Sequence, residues 1–150
     1  MQHHNNVNCF FAPTMVKRLF SAQKLIDADI SGLKTIIYGG GPMYVEDCLK
    51  ALELLGPKLV QIYGQGEAPM TITALSREAH MDTENPCYLE RLASVGRTRT
   101  DLEVQVVNED NLPLAVCEIG EVIVRGDVVM KGYWRNPDAT NECLLSLIHI

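Results

Sequence analysis

Two short segments of this chain carry residue types suited to chemistry on a phosphate or a metal ion. They are Gly39-Gly40-Gly41-Pro42 and Tyr63-Gly64-Gln65-Gly66-Glu67. Glycine lets the backbone approach a ligand closely and accepts positive φ without strain, as a phosphate edge or a flat aromatic base requires. A carboxylate directly after such a run, Glu67, suits magnesium, which takes few protein oxygens and shares its shell with phosphates. Each feature also has a plainer reading. The triple glycine serves equally as a tight turn, Glu67 as a solvated loop charge or an acid near a helix N-terminus, and Tyr63 either stacks on a base or packs in a sheet. Phosphate-binding patterns of fixed spacing are missing: there is no GxxxxGK[ST], and Pro69 stands where GxGxxG needs its third glycine.

The elements that must position these segments follow from periodicity. Thr14, placed after Pro13, reads as an N-cap, and Met15, Val16, Leu19 and Phe20 follow at helical spacing, which predicts a helix ending near Ile26. Residues 34–38 read as a strand closed by the glycines. Val45, Cys48, Leu49, Leu52 and Leu55 then recur on one helical face, with Glu46 and Asp47 in the first turn and Gly56-Pro57 as the stop. Residues 59–63 return to strand grammar. Strand, helix and strand make a βαβ unit with parallel strands and a right-handed crossover, so both glycine-rich segments leave the sheet at one rim. In open parallel sheets that rim is where ligands bind. Residues 77–86 are polar and predict a connecting loop. Beyond about Leu92 the pattern changes to short strands over 102–107 and 118–125 around a turn cluster at 108–113, a small antiparallel β subdomain. The fold class expected is α/β, a βαβ part of a parallel sheet with flanking helices, divided into an α/β nucleotide-binding subdomain over 1–92 and a β-rich subdomain over 93–150.

Composition narrows the function classes. Of 150 residues, 47% are hydrophobic and 21% charged, the balance of a chain that buries a core. Nineteen acidic against thirteen basic residues give a net charge of -6, with no basic stripe interleaved with aromatics, which argues against nucleic acid as partner. No apolar run approaches the roughly 20 residues of a membrane helix, and the N-terminus lacks signal-peptide zones, so a cytoplasmic location is expected. Cys9, Cys48, Cys87, Cys117 and Cys143 form no CxxC pair and have no histidine at ligand spacing. They read as reduced, small hydrophobes rather than a zinc or disulfide framework. His3 and His4 are adjacent and receive no role.

Tyr63-Gly64-Gln65-Gly66-Glu67 resembles the YGxTE motif of the adenylate-forming superfamily, which includes acyl-CoA synthetases, luciferases and peptide-synthetase adenylation domains. Gly39-Gly40-Gly41-Pro42 resembles the GGAP segment of that family at the expected distance upstream. Ser94-Val95-Gly96-Arg97, the run from Gly120 through Gly126, and Met130-Lys131-Gly132-Tyr133-Trp134 with Pro137 and Thr140 resemble its next motifs in order. The resemblance implies an internal piece of the large N-terminal domain of an AMP-forming acid:CoA ligase, using ATP, Mg2+ and coenzyme A on a fatty or aryl carboxylic acid. By position it implies that Gly39, Gly40, Gly41 and Pro42 border the adenine and the acyl pocket. It has Tyr63 stack on adenine, Gly64 line the acyl channel, Gln65 and Gly66 complete the nucleotide loop, and Glu67 serve catalysis by holding magnesium on the phosphates. Gly66 departs from the usual threonine, which removes a hydroxyl from the α-phosphate. No segment resembles the family's phosphate loop, its Thr-Gly-Asp or its C-terminal catalytic lysine, so the piece alone is expected not to catalyse, and residues 144–150 read as non-native. An amino-acid adenylation domain or luciferase-like enzyme is the alternative within the superfamily, and a non-catalytic interaction module the alternative outside it.

Overall fold

The computed structural model describes residues 4–22, 25, 27–144 and, for the backbone, 148–149. The chain forms two compact units, Met1–Tyr63 with Thr73–Arg97, and Gly64–Ile72 with Thr98–Ile150. The boundary expected near Leu92 is therefore crossed differently: the first unit runs on to Arg97, and Gly64–Ile72 leaves it for the second.

The first unit opens with β1 (Val7–Phe11), a strand that periodicity had not indicated, and α1 (Pro13–Leu19). Ala12, not Thr14, occupies the N-cap with extended backbone, because Pro13 takes the first helical position, where its missing N–H costs nothing. The helix ends at Leu19, short of the expectation; Ile26 lies outside the described residues. The strand β2 (Leu33–Tyr38), the helix α2 (Val45–Leu55) and the strand β3 (Leu59–Gln65) form the anticipated βαβ unit. β1 pairs parallel with β2, and β2 parallel with β3 through Ile36↔Leu59, Ile37↔Val60 and Tyr38↔Gln61.

Helix α2 buries Cys48, Ala51 and Leu55, three or four residues apart on one face. Leu49, assigned to that face from the sequence, is exposed instead, and Ala51 is buried in the core cluster. Gly56 closes the helix at φ 74° and ψ -165°, donating its N–H to Leu52 O at 2.9 Å, a positive-φ backbone that glycine adopts without a Cβ penalty. The core of this unit gathers Val16, Leu33, Ile36, Tyr38, Leu55 and Leu59 among its buried members.

The strand β4 (Ala68–Leu75) follows β3 after only Gly66 and Glu67. The stretch expected as a loop over 77–86 contains α3 (Arg77–Met81), capped by Ser76, whose Oγ accepts from Ala79 N; α4 (Tyr88–Ala93) follows. Local capping chemistry outweighed polarity there, since a serine N-cap satisfies an otherwise orphan amide. The sheet order is β1-β2-β3-β4-β5, with β5 at Arg97–Thr98.

In the second unit β6 (Glu103–Val107) pairs antiparallel with β7 (Glu121–Arg125), joining Glu103 to Arg125 both in register and by an ion pair of 3.1 Å. The strand expected from 118 begins three residues later. Between the strands Asn108 Oδ1 accepts from Asp110 N and Leu112 N, an Asx turn of the kind the Asn-Glu-Asp-Asn cluster favours. Val107, Ile123 and Val124 are buried. A last helix, α5 (Pro137–Cys143), was not foreseen, and β8 (Ile148–His149) pairs with β7; residues 145–147 and 150 of the tail lie outside the described residues.

Candidate nucleotide and cation site

In the first unit, Tyr38 is paired with Gln61, so β2 ends opposite the middle of β3 and both strands lead out in one direction. Gly39 is buried and continues the ladder by donating its N–H to Phe11 O at 3.3 Å, while Gly40, Gly41 and Pro42 are exposed. Gly40 stands at φ 76°, a backbone state that a larger residue enters at a cost. The segment is thus an open turn with accessible backbone at the carboxyl rim of parallel strands. Tyr63, two residues past the pairing of Gln61, is half-buried.

Directly beneath this rim lies a polar cluster that sequence reasoning missed. Tyr38 and His80 are fully buried, with the Tyr38 hydroxyl 2.9 Å from His80 Nε2 and the two rings edge to face. His80 Nδ1 is 2.7 Å from the carbonyl oxygen of Ser76. A carbonyl accepts only, so Nδ1 carries the proton and Nε2 is the acceptor of the Tyr38 O–H. The phenol's single proton is then spent, and Gln61, whose side-chain amide oxygen is placed 3.5 Å from it, offers a better bond by turning its NH2 to the phenol oxygen. Burial, reinforced by the neighbouring Cys48 thiol, pushes the Tyr38 phenol above its ordinary range, and burial pulls the His80 imidazole down against the opposing bond to Ser76. Both groups are held neutral. The signal available in the sequence was a histidine on the second turn after a serine N-cap, which is weak on its own.

In the second unit, Gly64 and Gln65 are strand residues and Gly66-Glu67 is a two-residue turn into β4, so the segment is a hairpin tip and not a loop leading into a helix. That removes the reading of Glu67 as a helix N-terminal acid. A Cβ on Gly64 would stand 2.2 Å from Met70 N and 2.3 Å from Ala68 O, which explains glycine at that position by close backbone approach. Gly66 has nothing within 4 Å of a notional Cβ. Glu67 is held twice: its carbonyl oxygen accepts from Met130 N at 2.8 Å, and its Oε1 accepts a short hydrogen bond from the Tyr133 hydroxyl. That bond, and secondarily the contact with Cys143, keeps the Tyr133 phenol above its usual range and therefore protonated.

Glu67 Oε2 has no hydrogen bond among the described residues. No group of three or more His, Cys, Asp or Glu side chains gathers among the described residues, so a metal cage built from protein alone is not formed. A single carboxylate with one oxygen to spare does fit magnesium of the kind that is held mostly by substrate phosphates and water. The five cysteines are unbonded to each other; Cys48 is buried as expected of a small hydrophobe, whereas Cys87 and Cys117 are exposed, because they sit at a helix cap and in a turn. No helix among the described residues is long and apolar enough to cross a membrane.

A parallel sheet with an open glycine turn at its rim in the first unit, and a glycine hairpin presenting one carboxylate in the second, define a chain of the mixed α/β class. Comparison with known proteins agrees. Residues 1–134 match the model of the AMP-binding enzyme family. A medium/long-chain-fatty-acid CoA ligase of Mycobacterium tuberculosis is 33% identical over 130 residues, covering 87% of this chain and 22% of that protein. A feruloyl-CoA synthase of Amycolatopsis is 33% identical over 135 residues, covering 90% of this chain and 26% of that protein. Among solved structures, the amide bond synthetase McbA of Marinactinospora thermotolerans superposes with a TM-score of 0.86 at 32% identity, over 95% of this chain and 28% of its own. The chain belongs to the AMP-binding enzyme family, and it spans about a quarter of the length of these relatives.

Proposed function

We propose that the protein of which this chain is part activates a carboxylic acid with ATP. A carboxylate oxygen attacks the α-phosphorus, the bond to the β-phosphate bridging oxygen breaks, and acyl-adenylate and pyrophosphate form. The acyl carbon is then attacked by the thiol of coenzyme A, and AMP departs. In this reading Gly39, Gly40, Gly41 and Pro42 offer backbone to the nucleotide, Tyr63 stacks on adenine, Gly64 lines the acyl channel, and Gln65 and Gly66 border the phosphates. Magnesium, when bound at Glu67, supplies positive charge where negative charge accumulates on the phosphates. The observation that carries the reading is the Glu67 carboxylate presented at the two-residue Gly66-Glu67 hairpin tip after the strand glycine Gly64, with one oxygen uncommitted.

Names of relatives favour fatty or aryl acids as the substrate class, since one is a medium/long-chain-fatty-acid ligase and another a feruloyl-CoA synthase. A second reading of the last step is supported by the likeness to an amide bond synthetase at 32% identity, nearly that of the CoA ligases: an amine would replace the thiol as acyl acceptor. Exchange of labelled pyrophosphate into ATP tests the first step, using fatty and aryl acids in turn. The protein carrying this chain together with the rest of its large domain is expected to exchange, Glu67→Gln in it to lose nearly all exchange, and the 150-residue chain alone to show none. Robust exchange by Glu67→Gln would sink the role given to that carboxylate, and robust exchange by the chain alone would sink its inactivity. Acyl-CoA against amide product, read with both acceptors present, decides the second step.

A further inference from the structure

The family's Gly-Tyr motif received no role from sequence reasoning, yet the second unit ties it to Glu67 at two points. Met130 N donates to the Glu67 carbonyl and the Tyr133 phenol donates to its carboxylate, so one five-residue segment grips both the backbone and the side chain of the tip. Tyr133 is itself held. Its N–H donates to Thr140 Oγ1 at 2.9 Å, and that hydroxyl donates to Asn136 O at 2.7 Å. Asn136 in turn caps α5 through Oδ1, which accepts from Ala139 N at 3.2 Å. Gly132 stands at φ 146°, and a Cβ there would lie 2.8 Å from the Thr140 methyl, so only glycine leaves Thr140 where it can bind the Tyr133 amide. Bookkeeping of protons completes the arrangement. The phenol has one O–H, given to the carboxylate, so Cys143, with Sγ 3.8 Å away, meets the phenol oxygen as a thiol donor.

We propose that Tyr133 is a positioning residue for Glu67: its phenol fixes the carboxylate rotamer by occupying Oε1 and leaves Oε2 turned to the cation and phosphates. A charged carboxylate on a two-residue turn has several rotamers of similar energy, and a charge-assisted hydrogen bond from a ring with only two torsions selects one at small entropic cost. Outer partners that orient a metal-binding group are worth about 10-fold to 100-fold in affinity when removed. The role rests on the reading of Glu67 given above.

The test uses the whole chain with carbon-13 in its glutamate carboxyl groups, the Glu67 signal being the one missing from Glu67→Gln. In the native chain that signal stands apart from those of solvated glutamates; Tyr133→Phe is expected to return it towards them with the thermal midpoint unchanged. Manganese with ATP is the binding probe, followed by the electron paramagnetic signal of the ion. Tyr133→Phe is expected to weaken binding about 10-fold and Glu67→Gln by at least as much. A Glu67 signal unmoved by Tyr133→Phe overturns the proposal. A moved signal with manganese-ATP affinity unchanged in Glu67→Gln leaves the clamp standing and overturns the cation reading of the tip. If Tyr133→Phe does not fold, difluorotyrosine at the same position keeps the ring and strengthens the donor, and a Glu67 signal indifferent to it overturns the proposal equally.

Discussion

Two tyrosines in this chain each give their one proton to a side-chain acceptor, and their surroundings make opposite uses of the bond. Tyr38 and His80 are fully buried between β2 and α3 in the first unit, whereas Tyr133 is 37% exposed and its acceptor sits on a turn in the second. Neither partner of the buried pair has access to water, so an unmade bond there costs the desolvation of a polar group. At the exposed pair water replaces whatever is lost, and the bond selects a direction for a carboxylate rather than holding a core. Burial therefore separates a polar contact that stabilises from one that aims, although donor chemistry and distance range are similar.

The comparison breaks most severely at the hairpin backbone. Gly64→Ala drives a Cβ into Met70 N and Ala68 O, main-chain atoms that cannot rotate away, and is expected to cost about 3 kcal/mol in urea denaturation. A loss below about 0.5 kcal/mol would mean that the β3 to β4 tip is looser than described.

Next comes the buried pair. Tyr38→Phe leaves His80 Nε2 without its donor and is expected to lower stability by about 1–3 kcal/mol, while Tyr133→Phe leaves the denaturation midpoint unmoved. Equal losses in the two variants would erase the distinction drawn from burial. Acid sharpens it. His80 is neutral in the fold with a depressed pKa, so below its unfolded value of 6.5 the unfolded chain binds the extra proton and the folded chain does not. Stability contributed by the neutral ring is complete above that value and falls as pH drops from it towards the lower folded pKa, at up to about 1.4 kcal/mol per unit. His80→Gln should flatten the slope in that window; an unaltered slope would assign the acid loss to other groups.

The smallest effect is expected at Gly66→Thr, because nothing lies within 4 Å of its Cβ and its backbone is not in the left-handed region. Stability should stay within about 0.5 kcal/mol, and adenylation by the protein with its whole large domain should be kept or rise, since the hydroxyl usual in the family is restored. Severe loss of activity with stability intact would show that this tip does not face the phosphates.

Several elements were legible because a single local cause dictated them. The α2 helix runs from Val45 to Leu55 as its periodicity and Gly56 demand, and β2 and β3 pair parallel because eleven helical residues must carry the chain back across the sheet. Other elements depended on what lies across from them. Strand β1 alternates in burial but breaks its apolar alternation with the pair Phe10-Phe11, β4 carries no clean alternation, Leu49 and Ala51 differ from expectation by which side of α2 is buried, and α3 hides in a polar stretch whose Ser76 cap outweighs its composition. Residues of the candidate site were named from glycine and carboxylate types together with the resemblance to the family's motifs, which brought in Pro42, Tyr63 and Gln65. That Gly64 belongs to a strand, and that Gly66 and Glu67 make its turn, emerged only with β4 in place.

The order of glycines, helix stops and strand runs was thus sufficient to state the α/β class and to place the glycine turns after β2 and β3, because turn chemistry and periodicity act over a few residues. Which tyrosine stabilises and which one aims was decided by the fold. Tyr133 lies 66 residues from Glu67 and Tyr38 lies 42 from His80, and a hydrogen bond between side chains that distant has no signature until packing sets its partners and its access to water.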